Sequence, residues 1–337
     1  MVWSLVARIV ASTLLIICTF PLSRLHAQSP SQDTVKLYFG GDVNFGLFFA
    51  DKIHDDLSYP FDRMKWLGEA DVAMVNLENA MTRRGKRQHK EFVFHTKPKY
   101  GQLLREARIG LVTLANNHIY DYGREGIFDT MELLDSLGIK HVGAGANIDS
   151  ARSPVIVERK GLRVGFLGYM DSISTTNLYF AKARKAGPAV LNRGYLVEDI
   201  GKLKAKCDFV VINIHWGVEK SRTPLQRQIE LAHAAIDAGA DLIIGHHPHV
   251  LQGIEVYRGK VIAYSLGNFL FGGSSRESYP TALLKVTIPV RAIDSARCEI
   301  VPIYVDHWQP RAFEGTGGTG VIDTIRHYSR EFEKSIF

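Results

Sequence analysis

Three histidines occur within four positions, directly after a short apolar run. The run Leu242–Ile244 leads through Gly245 to His246, His247 and His249. An apolar run of this length, bounded by glycine, predicts a buried β-strand that delivers the imidazoles to an edge of a sheet. Histidine is the commonest metal ligand among side chains, and the proline between His247 and His249 stiffens the backbone there. The stretch therefore predicts a metal site, and a histidine-rich turn without a metal is the alternative that it leaves open.

Other side chains of ligand type follow apolar runs at the point where each run ends. They are Asp42 after 35–39, Glu78 after 71–75, Asn117 after 109–115 and His215 after 208–214. Helical spacing between several of these runs, clearest at 225–238, indicates strands that alternate with helices, as in an α/β fold. Because ligands of open α/β sheets bind beyond the carboxyl ends of the strands, we expect these side chains to converge. Carboxylates, amide oxygens and imidazoles suit Mn, Fe or Zn, and about six of them can hold two such ions.

Two of the candidate acids also have purely structural readings. Asp42 follows two glycines, a sequence that is equally typical of an ordinary glycine turn. Asp121 precedes the helical spacing of 124–137, where an aspartate can cap the helix N-terminus. A capping role does not explain the run Asn116-Asn117-His118 just before it.

The remaining patterns complete one α/β domain. Hairpins, strands and a closing helix are predicted at 153–158 with 162–169, 253–257 with 260–264, 282–290, 299–305 and 321–332. Residues 172–194 have no core pattern, so we expect a surface excursion there. No repeat, low-complexity tract or linker divides the chain after its N-terminal segment. The simplest division is a single domain over 34–310 followed by a C-terminal extension, 311–337, that contains the closing helix.

The first 27 residues have the pattern of an export signal. Arg8 precedes the apolar stretch Ile9–Phe20, and Leu25-His26-Ala27 ends in a small residue before Gln28. The pattern predicts cleavage after Ala27 and a mature protein in the periplasm or cell envelope. A retained membrane anchor is the alternative, although the apolar stretch is shorter than the roughly 20 residues that a membrane-spanning helix needs.

Composition and charge narrow the class of protein. Hydrophobic residues make up 46% of the chain and charged residues 23%, which excludes a disordered chain and a polytopic membrane protein. Loss of Arg8 and Arg24 with the signal lowers the formal net charge from +6 to +4. Basic clusters at 83–90 and 182–185 favour anionic ligands or are solvated loops, and no nucleic-acid-binding motif accompanies them. We therefore expect no nucleic-acid partner.

Two cysteines remain after the predicted cleavage, Cys207 and Cys298. They could pair in an oxidising compartment, and neither has the spacing of a metal ligand.

Six ordered motifs together resemble a known family. They are Gly41-Asp42-Val43, Asn76-Leu77-Glu78, Asn116-Asn117-His118 with Asp121 and Gly123, His215-Trp216-Gly217 with Glu219, His247-Pro248-His249-Val250, and Tyr264-Ser265-Leu266-Gly267-Asn268-Phe269. They resemble the bacterial CapA family of capsule-synthesis proteins, which is associated with poly-γ-glutamate production and is similar to calcineurin-like metallophosphoesterases. The likeness runs from about Val35 to about Val305. It implies a single-domain, four-layer α/β/β/α sandwich with a dinuclear centre.

The resemblance also implies roles for individual residues. The implied metal ligands are Asp42, Glu78, Asn117, His215, His247 and His249. The implied substrate contacts and supporting groups are Asn76, Asn116, Asp121, Glu219 and Asn268, with Asp121 and Glu219 fixing the orientation of imidazoles. A divalent ion held in this way lowers the pKa of bound water to about 7, and His118 would protonate the leaving group.

Two departures from the wider phosphoesterase pattern affect the centre. That pattern has a histidine two residues after the first aspartate, where this chain has Asn44. It also has Gly-Asp where this chain has Asn76-Leu77-Glu78. One ligand is therefore missing and another replaced, so a single-metal site is an alternative to a dinuclear one.

Three functions remain open at the level of sequence. The first is a metal-dependent hydrolase that acts on a phosphoester or on a γ-glutamyl or peptide amide. The second is a non-catalytic envelope factor that binds an anionic polymer and helps to export or anchor it, in contact with a membrane-bound capsule-synthesis complex. The third is a domain that a metal merely stabilises.

Overall fold

The computed structural model describes residues 34–53, 56–174 and 179–337. The predicted signal, 1–27, lies outside the described residues. No helix in the described ranges combines the length and the apolar character that a membrane span requires.

Strands and short helices alternate along the chain. The strands are β1 (Thr34–Asn44), β2 (Val72–Leu77), β3 (Ala80–Met81), β4 (His95–Thr96), β5 (Leu111–Thr113), β6 (Lys140–Val142), β7 (Ala144–Gly145), β8 (Val155–Arg159), β9 (Leu162–Met170), β10 (Gly187–Pro188), β11 (Phe209–His215), β12 (Leu242–His246), β13 (Ile254–Tyr257), β14 (Lys260–Ala263), β15 (Asn268–Phe271), β16 (Tyr279–Pro289), β17 (Arg297–Asp306) and β18 (Gln309–Ala312). The α-helices are α1 (Phe48–Lys52), α2 (Gln102–Glu106), α3 (Gly123–Ser136), α4 (Ile148–Ala151), α5 (Arg193–Lys204), α6 (Gln226–Asp237) and α7 (Thr319–Ser329). Single 3₁₀ turns or short 3₁₀ helices lie at Asp62–Glu69, Pro98–Gly101, Ser172–Ser174, Ile293–Ser295 and Gly315–Gly318.

Two large sheets form the centre of the domain. The first has the order β18-β17-β16-β1-β2-β5-β6, with β15 added beside the C-terminal half of β1. Its strands β1, β2, β5 and β6 are parallel, whereas β16, β17 and β18 are antiparallel. The second sheet has the order β13-β14-β12-β11-β9-β8, with β9, β11, β12 and β14 parallel. The carboxyl ends of both parallel sets are the edges at which a ligand is expected.

The sheets pack face to face, and helices cover their outer faces. Because side chains alternate along a strand, Leu37 and Phe39 of β1 join Val211 of β11 in the core between the sheets. Their neighbours point outward: Tyr38 packs in the layer that contains α2 and α3, and Val210 in the layer that contains α5 and α6. This arrangement confirms the predicted four-layer α/β/β/α sandwich.

Most predicted elements are confirmed within a few residues. The hairpin β8–β9 turns at Lys160-Gly161 and β13–β14 turns at Arg258-Gly259. Helix α6 follows its predicted apolar spacing, and Gly239, with φ of 112°, ends it in a backbone region that favours glycine. Cys207 and Cys298 are both free thiols.

The prediction of a surface excursion at 172–194 is wrong for its second half. Phe180, Ala186, Ala189 and Leu191 are buried. The backbone of this segment pairs with the end of β9, since Met170 N donates to Ala189 O at 2.8 Å and Leu191 N donates to Met170 O at 2.7 Å. The apolar residues alternate with basic ones at irregular spacing, so no helical or strand period reveals that they are buried.

Candidate metal centre

The carboxyl edges of the two sheets meet, and each delivers part of the site. In the first sheet, the register places Asp42 of β1 beside Asn76 of β2 and Asn268 of β15. In the second sheet, His215 at the end of β11 lies beside His246 at the end of β12. Asp42 Oδ1 is 3.4 Å from His246 Nδ1, so the two edges are in contact.

Asp42 is fully buried and lies among the imidazoles. Its Oδ1 accepts a hydrogen bond from Asn76 Nδ2 at 2.8 Å. Its Oδ2 is 3.2 Å from His249 Nδ1 and accepts a hydrogen bond from the backbone N–H of His247 at 3.3 Å. The reading of Asp42 as part of an ordinary glycine turn is therefore wrong, because the residue lies inside β1.

A tight backbone crossing explains the glycine before Asp42. A Cβ atom on Gly41 would lie 1.9 Å from the carbonyl oxygen of Gly267. That oxygen accepts the backbone N–H of Asp42 at 2.9 Å, which draws the turn before β15 onto β1. Only glycine permits this approach, and the approach delivers Asn268 to the site.

The histidine turn after β12 has an unusual backbone. His247 has φ of 96° and His249 has φ of 57°, both in the left-handed region that non-glycine residues rarely adopt. Such strain persists where the surrounding structure holds it, and it is concentrated at functional sites. Here it aims the two rings into one pocket, with His247 and His249 ring centroids 6.0 Å apart.

Glu78 links two groups of ligand atoms. Its side chain is fully buried, and Oε1 lies 3.8 Å from His215 Nε2 and 3.7 Å from His249 Nε2. Ligand atoms of Glu78, His247 and His249 all lie within 4.8 Å of one another. Those of Asp42, Glu78 and His215 do the same. Two three-residue groups that share one carboxylate have the layout of a centre for one or two divalent ions.

Unpaired polar atoms test whether a metal fits these groups. Among the described residues, Glu78 Oε1, His247 Nδ1 and both ring nitrogens of His246 are buried without a hydrogen-bond partner. A buried acceptor without a partner is costly, so a clustered set of them indicates that a ligand completes their bonding. Carboxylate oxygens and imidazole nitrogens are the donors that Mn, Fe and Zn prefer, so the residues fit such a metal.

The charges in the pocket favour an added cation. Burial raises the pKa of Glu78 well above its ordinary value, and the nearby charge of Asp42 raises it further, although the charge of His249 opposes both. Burial lowers the pKa of His249, but the charges of Glu78 and Asp42 outweigh burial and raise it to about 10. Burial, reinforced by the charge of His249, lowers the pKa of His247 to about 3. A neutral His247 is the form that ligates a metal.

His118 belongs to a second cluster beside the first. Its Nδ1 is 2.7 Å from Asp121 Oδ2, and Lys90 forms an ion pair with the other oxygen of Asp121. Lys90 Nζ also donates to the backbone oxygen of Asn117 at 2.7 Å, and the ring of Phe94 stacks on His118 at 4.0 Å. Burial lowers the pKa of His118 to about 4, against the attraction of Asp121. Since Asp121 accepts at Nδ1, the ring presents Nε2 as the nitrogen that exchanges protons.

The capping reading of Asp121 is wrong. Helix α3 begins after Tyr122, and no side chain caps its N-terminus. Asp121 Oδ2 instead accepts the backbone N–H of Phe94 at 2.5 Å, in addition to its contact with His118. The aspartate thus fixes both the ring of His118 and the segment that covers it.

The amides named from sequence occupy three different positions. Asn117 Oδ1 lies 3.0 Å from His215 Nε2, within reach of the first cluster. Asn116 donates to Asn76 Oδ1 at 2.9 Å and to Leu77 O at 2.8 Å, so it holds the loop after β2. Asn268 Oδ1 is 2.8 Å from His249 Nδ1 and orients that ring.

Glu219 and Asn44 lie at the limits of the predicted site. Glu219 is solvent-exposed in the turn after β11, and its charge is a smaller contributor to the raised pKa of Glu78, after burial and Asp42. Asn44 is buried, and within the described chain its side chain forms hydrogen bonds with backbone groups. It donates to Glu78 O at 3.0 Å and accepts from Gly46 N at 2.8 Å. It supports the loop that carries Glu78 and takes no position among the ligand atoms.

Two residues of the site were given no individual role from the sequence, His246 and Lys90. His246 was noted as one of the three clustered histidines, but nothing local marks it as a ring whose two nitrogens have no hydrogen-bond partner among the described residues. Lys90 ends a run of exposed basic residues, and only its tertiary contact with Asp121 distinguishes it from them. Its side chain is 11% exposed. The apolar run at 92–94, which begins two positions after Lys90, was the one local signal that could have singled it out.

Comparisons with known proteins identify the family of the chain. Residues 36–273 match the model of the family described as bacterial capsule synthesis protein PGA_cap. The capsule biosynthesis protein CapA of Bacillus anthracis is 32% identical over 271 residues, which are 78% of this chain and 64% of that protein. The chain therefore spans slightly less than two thirds of that relative.

A second relative and a solved structure extend the match. The PGA biosynthesis protein CapA of Bacillus subtilis is 33% identical over 288 residues, 83% of this chain and 74% of that protein. The crystal structure of a phosphatase from Mycoplasma pneumoniae superimposes with a TM-score of 0.52 at 16% identity, over 82% of this chain and 95% of that one. The similarity to this crystal structure shows a shared metallophosphoesterase-like fold. The chain belongs to the PGA_cap family of bacterial capsule synthesis proteins.

Proposed function

We propose that this protein is an exported, metal-dependent hydrolase of capsule or poly-γ-glutamate synthesis. The observation that carries the proposal is the meeting of Asp42, Glu78, His215, His247 and His249 around unpaired ligand atoms, next to the paired His118 and Asp121. A merely structural metal site needs no proton-exchanging group beside it. The substrate is a phosphoester or a γ-glutamyl amide.

The residues of the chain divide the work of hydrolysis between them. Asp42, Glu78, Asn117, His215, His247 and His249 would hold one or two ions of Mn, Fe or Zn. Such an ion, when bound, polarises the scissile group and makes water available as a nucleophile near neutral pH. Hydrolysis breaks the bond to the leaving oxygen or nitrogen, which then needs a proton.

His118 supplies that proton from Nε2. Its pKa of about 4 leaves the ring neutral near pH 7, so an anionic substrate group beside it must raise the imidazolium fraction. Asp121 stabilises the imidazolium as it forms and keeps the ring in place. Lys90 neutralises Asp121 and, through the backbone oxygen of Asn117, ties the acid cluster to the ligand cluster.

The site of action proposed is the periplasm or cell envelope. The N-terminal pattern supports export, and the CapA relatives are capsule proteins by name. A membrane-bound capsule-synthesis complex is the partner that this setting suggests.

Metal-dependent turnover tests the proposal. The mature chain, beginning at Gln28, is purified, stripped with a chelator and titrated with Mn, Fe or Zn, while bound metal is counted. Hydrolysis of a chromogenic phosphodiester and of γ-glutamyl peptides is followed in the same samples. We expect turnover of one substrate class to rise in proportion to bound metal and to saturate with it.

Metal that binds without turnover of either class would overturn the hydrolase and favour the polymer-binding alternative. An absence of bound metal, with no change in melting temperature, would overturn the ligand assignment itself.

A further inference from the structure

A cavity of about 420 Å³ opens beside the metal centre, towards β16 and α7. His249 and Asn268 form part of its wall, so the cavity is continuous with the ligand cluster. Its size is within the range of about 300–1,000 Å³ that small-molecule sites occupy. A substrate bound at the centre therefore has room to extend in this direction.

The lining of the cavity carries positive charge without a compensating acid. Two arginines, Arg222 and Arg276, lie on it, and none of the described residues that line it is an aspartate or a glutamate. Helix α7 contributes Gly320 and Thr324, and the N-terminus of that helix has no side-chain cap. The positive end of the helix dipole thus adds to the charge of the arginines.

Some arginines elsewhere in the described chain pair with carboxylates, among them Arg84, Arg152, Arg163, Arg227, Arg258 and Arg326. In the part of the chain that the structure describes, Arg222 and Arg276 pair with no carboxylate. Each is placed by an aromatic ring, with the guanidinium of Arg222 5.9 Å from Tyr328 and that of Arg276 5.9 Å from Tyr279. Arg276 Nε also donates to Ser278 O at 3.3 Å.

Apolar side chains line the cavity together with the two arginines; they are Leu251, Phe313 and Val321. A ligand that matches this wall carries anionic groups joined by short apolar segments. A γ-glutamyl chain has this chemistry, because each residue offers one free carboxylate and two methylene groups in its backbone. A phosphate polymer offers the charge but not the regular methylene pairs.

We infer that this cavity is a subsite for the free carboxylates of a γ-glutamyl chain, bound by Arg222 and Arg276, which leads the chain to the metal centre. The inference rests on the proposed function in one respect, since it identifies the substrate of that centre as a γ-glutamyl polymer. The planar fork of arginine binds a carboxylate through two hydrogen bonds, which gives the subsite its geometry as well as its charge.

Direct binding tests the subsite. The probe is a fluorescently labelled decamer of γ-linked glutamate, titrated against metal-loaded mature protein and followed by fluorescence anisotropy. We expect Arg222→Gln and Arg276→Gln each to raise the dissociation constant by about three- to tenfold, the scale of a partly exposed charge-assisted contact. The double variant should weaken binding further and reduce its dependence on salt.

Arg193→Gln is the matched control, because Arg193 is an exposed arginine at the start of α5, on the outer layer of the second sheet. It removes the same charge and should change the dissociation constant less than twofold. An α-linked glutamate decamer and a polyphosphate of similar charge are titrated as comparison ligands. The γ-linked chain should bind more tightly than both.

Equal affinity in the wild type and the double arginine variant would overturn the subsite. Tighter, arginine-dependent binding of polyphosphate would replace the γ-glutamyl ligand with a phosphate polymer and overturn the inference too. Hydrolysis of a chromogenic phosphodiester by the same wild-type sample reports separately on the metal centre. Arginine-dependent binding of the γ-linked decamer without any turnover would support the subsite while contradicting the hydrolase.

Discussion

Polar side chains flank the buried apolar runs at both ends of the parallel strands, and the two ends use them in opposite ways. At the amino ends, Asp71, Asp208 and Asp241 stand directly before β2, β11 and β12. At the carboxyl ends of the same strands stand Glu78, His215 and His247. The first set is satisfied by protein contacts, whereas in the second set Glu78 Oε1 and His247 Nδ1 have no hydrogen-bond partner among the described residues.

The amino-end aspartates each bond to a neighbouring strand and to a cation. Asp241 Oδ2 accepts the backbone N–H of Val210 at 2.9 Å and Lys204 Nζ at 2.6 Å, while Oδ1 lies 2.9 Å from Lys260 Nζ. Asp71 Oδ2 accepts from the backbone of Lys36 at 2.8 Å and from Lys160 Nζ at 2.9 Å. These contacts complete the hydrogen bonding of the strand ends, so they stabilise the fold.

The carboxyl end shows the contrasting behaviour of a site built for a ligand. Glu78 and Asp42 are fully buried within one pocket, among imidazoles, the side-chain amide of Asn76 and the backbone N–H of His247. Like charges brought together in this way oppose folding. At the amino ends a lysine or arginine neutralises each aspartate, whereas at the carboxyl ends Asp42 and Glu78 lie among imidazoles and, within the described chain, form no ion pair with a lysine or arginine.

Replacing His118 should give the largest effect and would sharpen the comparison most. His118→Ala should lower the turnover number of the metal-loaded protein by about 10²–10⁴-fold, the usual contribution of a general acid. Bound metal, counted by elemental analysis, should stay at the wild-type level. Equal turnover in the variant would remove His118 from the mechanism.

Removal of the metal should give the second largest effect. A free metal concentration 100-fold above its dissociation constant stabilises a protein by about 2.7 kcal/mol, so chelation should lower the melting temperature by about 5 °C or more. His247→Ala should abolish most of this metal-dependent shift. A full shift in that variant would show that the metal binds elsewhere.

At the opposite end of the strands, Asp241→Ala should destabilise without touching the metal. The change leaves the N–H of Val210 without its acceptor and removes the carboxylate that pairs with Lys204 and Lys260. We expect a loss of about 1–3 kcal/mol in the free energy of unfolding, measured by urea denaturation. The metal-dependent shift in melting temperature should be unchanged, and a reduced shift would break the division between the two ends.

Glu78→Gln should have the smallest effect on the free energy of unfolding, and it should stabilise the metal-free protein where Asp241→Ala destabilises it. Because the folded protein raises the pKa of Glu78, the unfolded chain ionises first as pH rises above the ordinary value of 4.5. The folded state then binds more protons, so wild-type stability in chelator falls with rising pH relative to the variant. At pH 7 the variant should be more stable by about 0.5–2 kcal/mol, yet gain less from metal. A less stable variant in chelator would contradict the reading of Glu78 as an unpaired buried acid.

The ends of the strands could be predicted because a run of apolar residues in the sequence marks each buried strand. Runs such as 209–212 are apolar on both faces, and the residue types change abruptly near their ends, which placed His215 at the end of its strand, where β11 ends in the structure. Lys90 shows where that logic fails, since its neighbours in sequence are exposed cations and only its contact with Asp121, 31 residues later, gives it a place in the site. The prediction for the second half of 172–194 failed for the same reason. Its burial comes from pairing with β9, and its apolar residues follow no helical or strand period.

Local patterns of residue type were enough to predict the alternation of strands and helices, the family, and the carboxylates, amides and imidazoles available at the strand ends. The packing of the two sheets then set which of these side chains share a pocket, which of their atoms have no hydrogen-bond partner, and that Asn44 bonds to the backbone while His246 faces Asp42. The physical reason is that hydrogen-bond partners and charge neighbours are set by distances across two packed sheets, and no spacing along the chain encodes those distances.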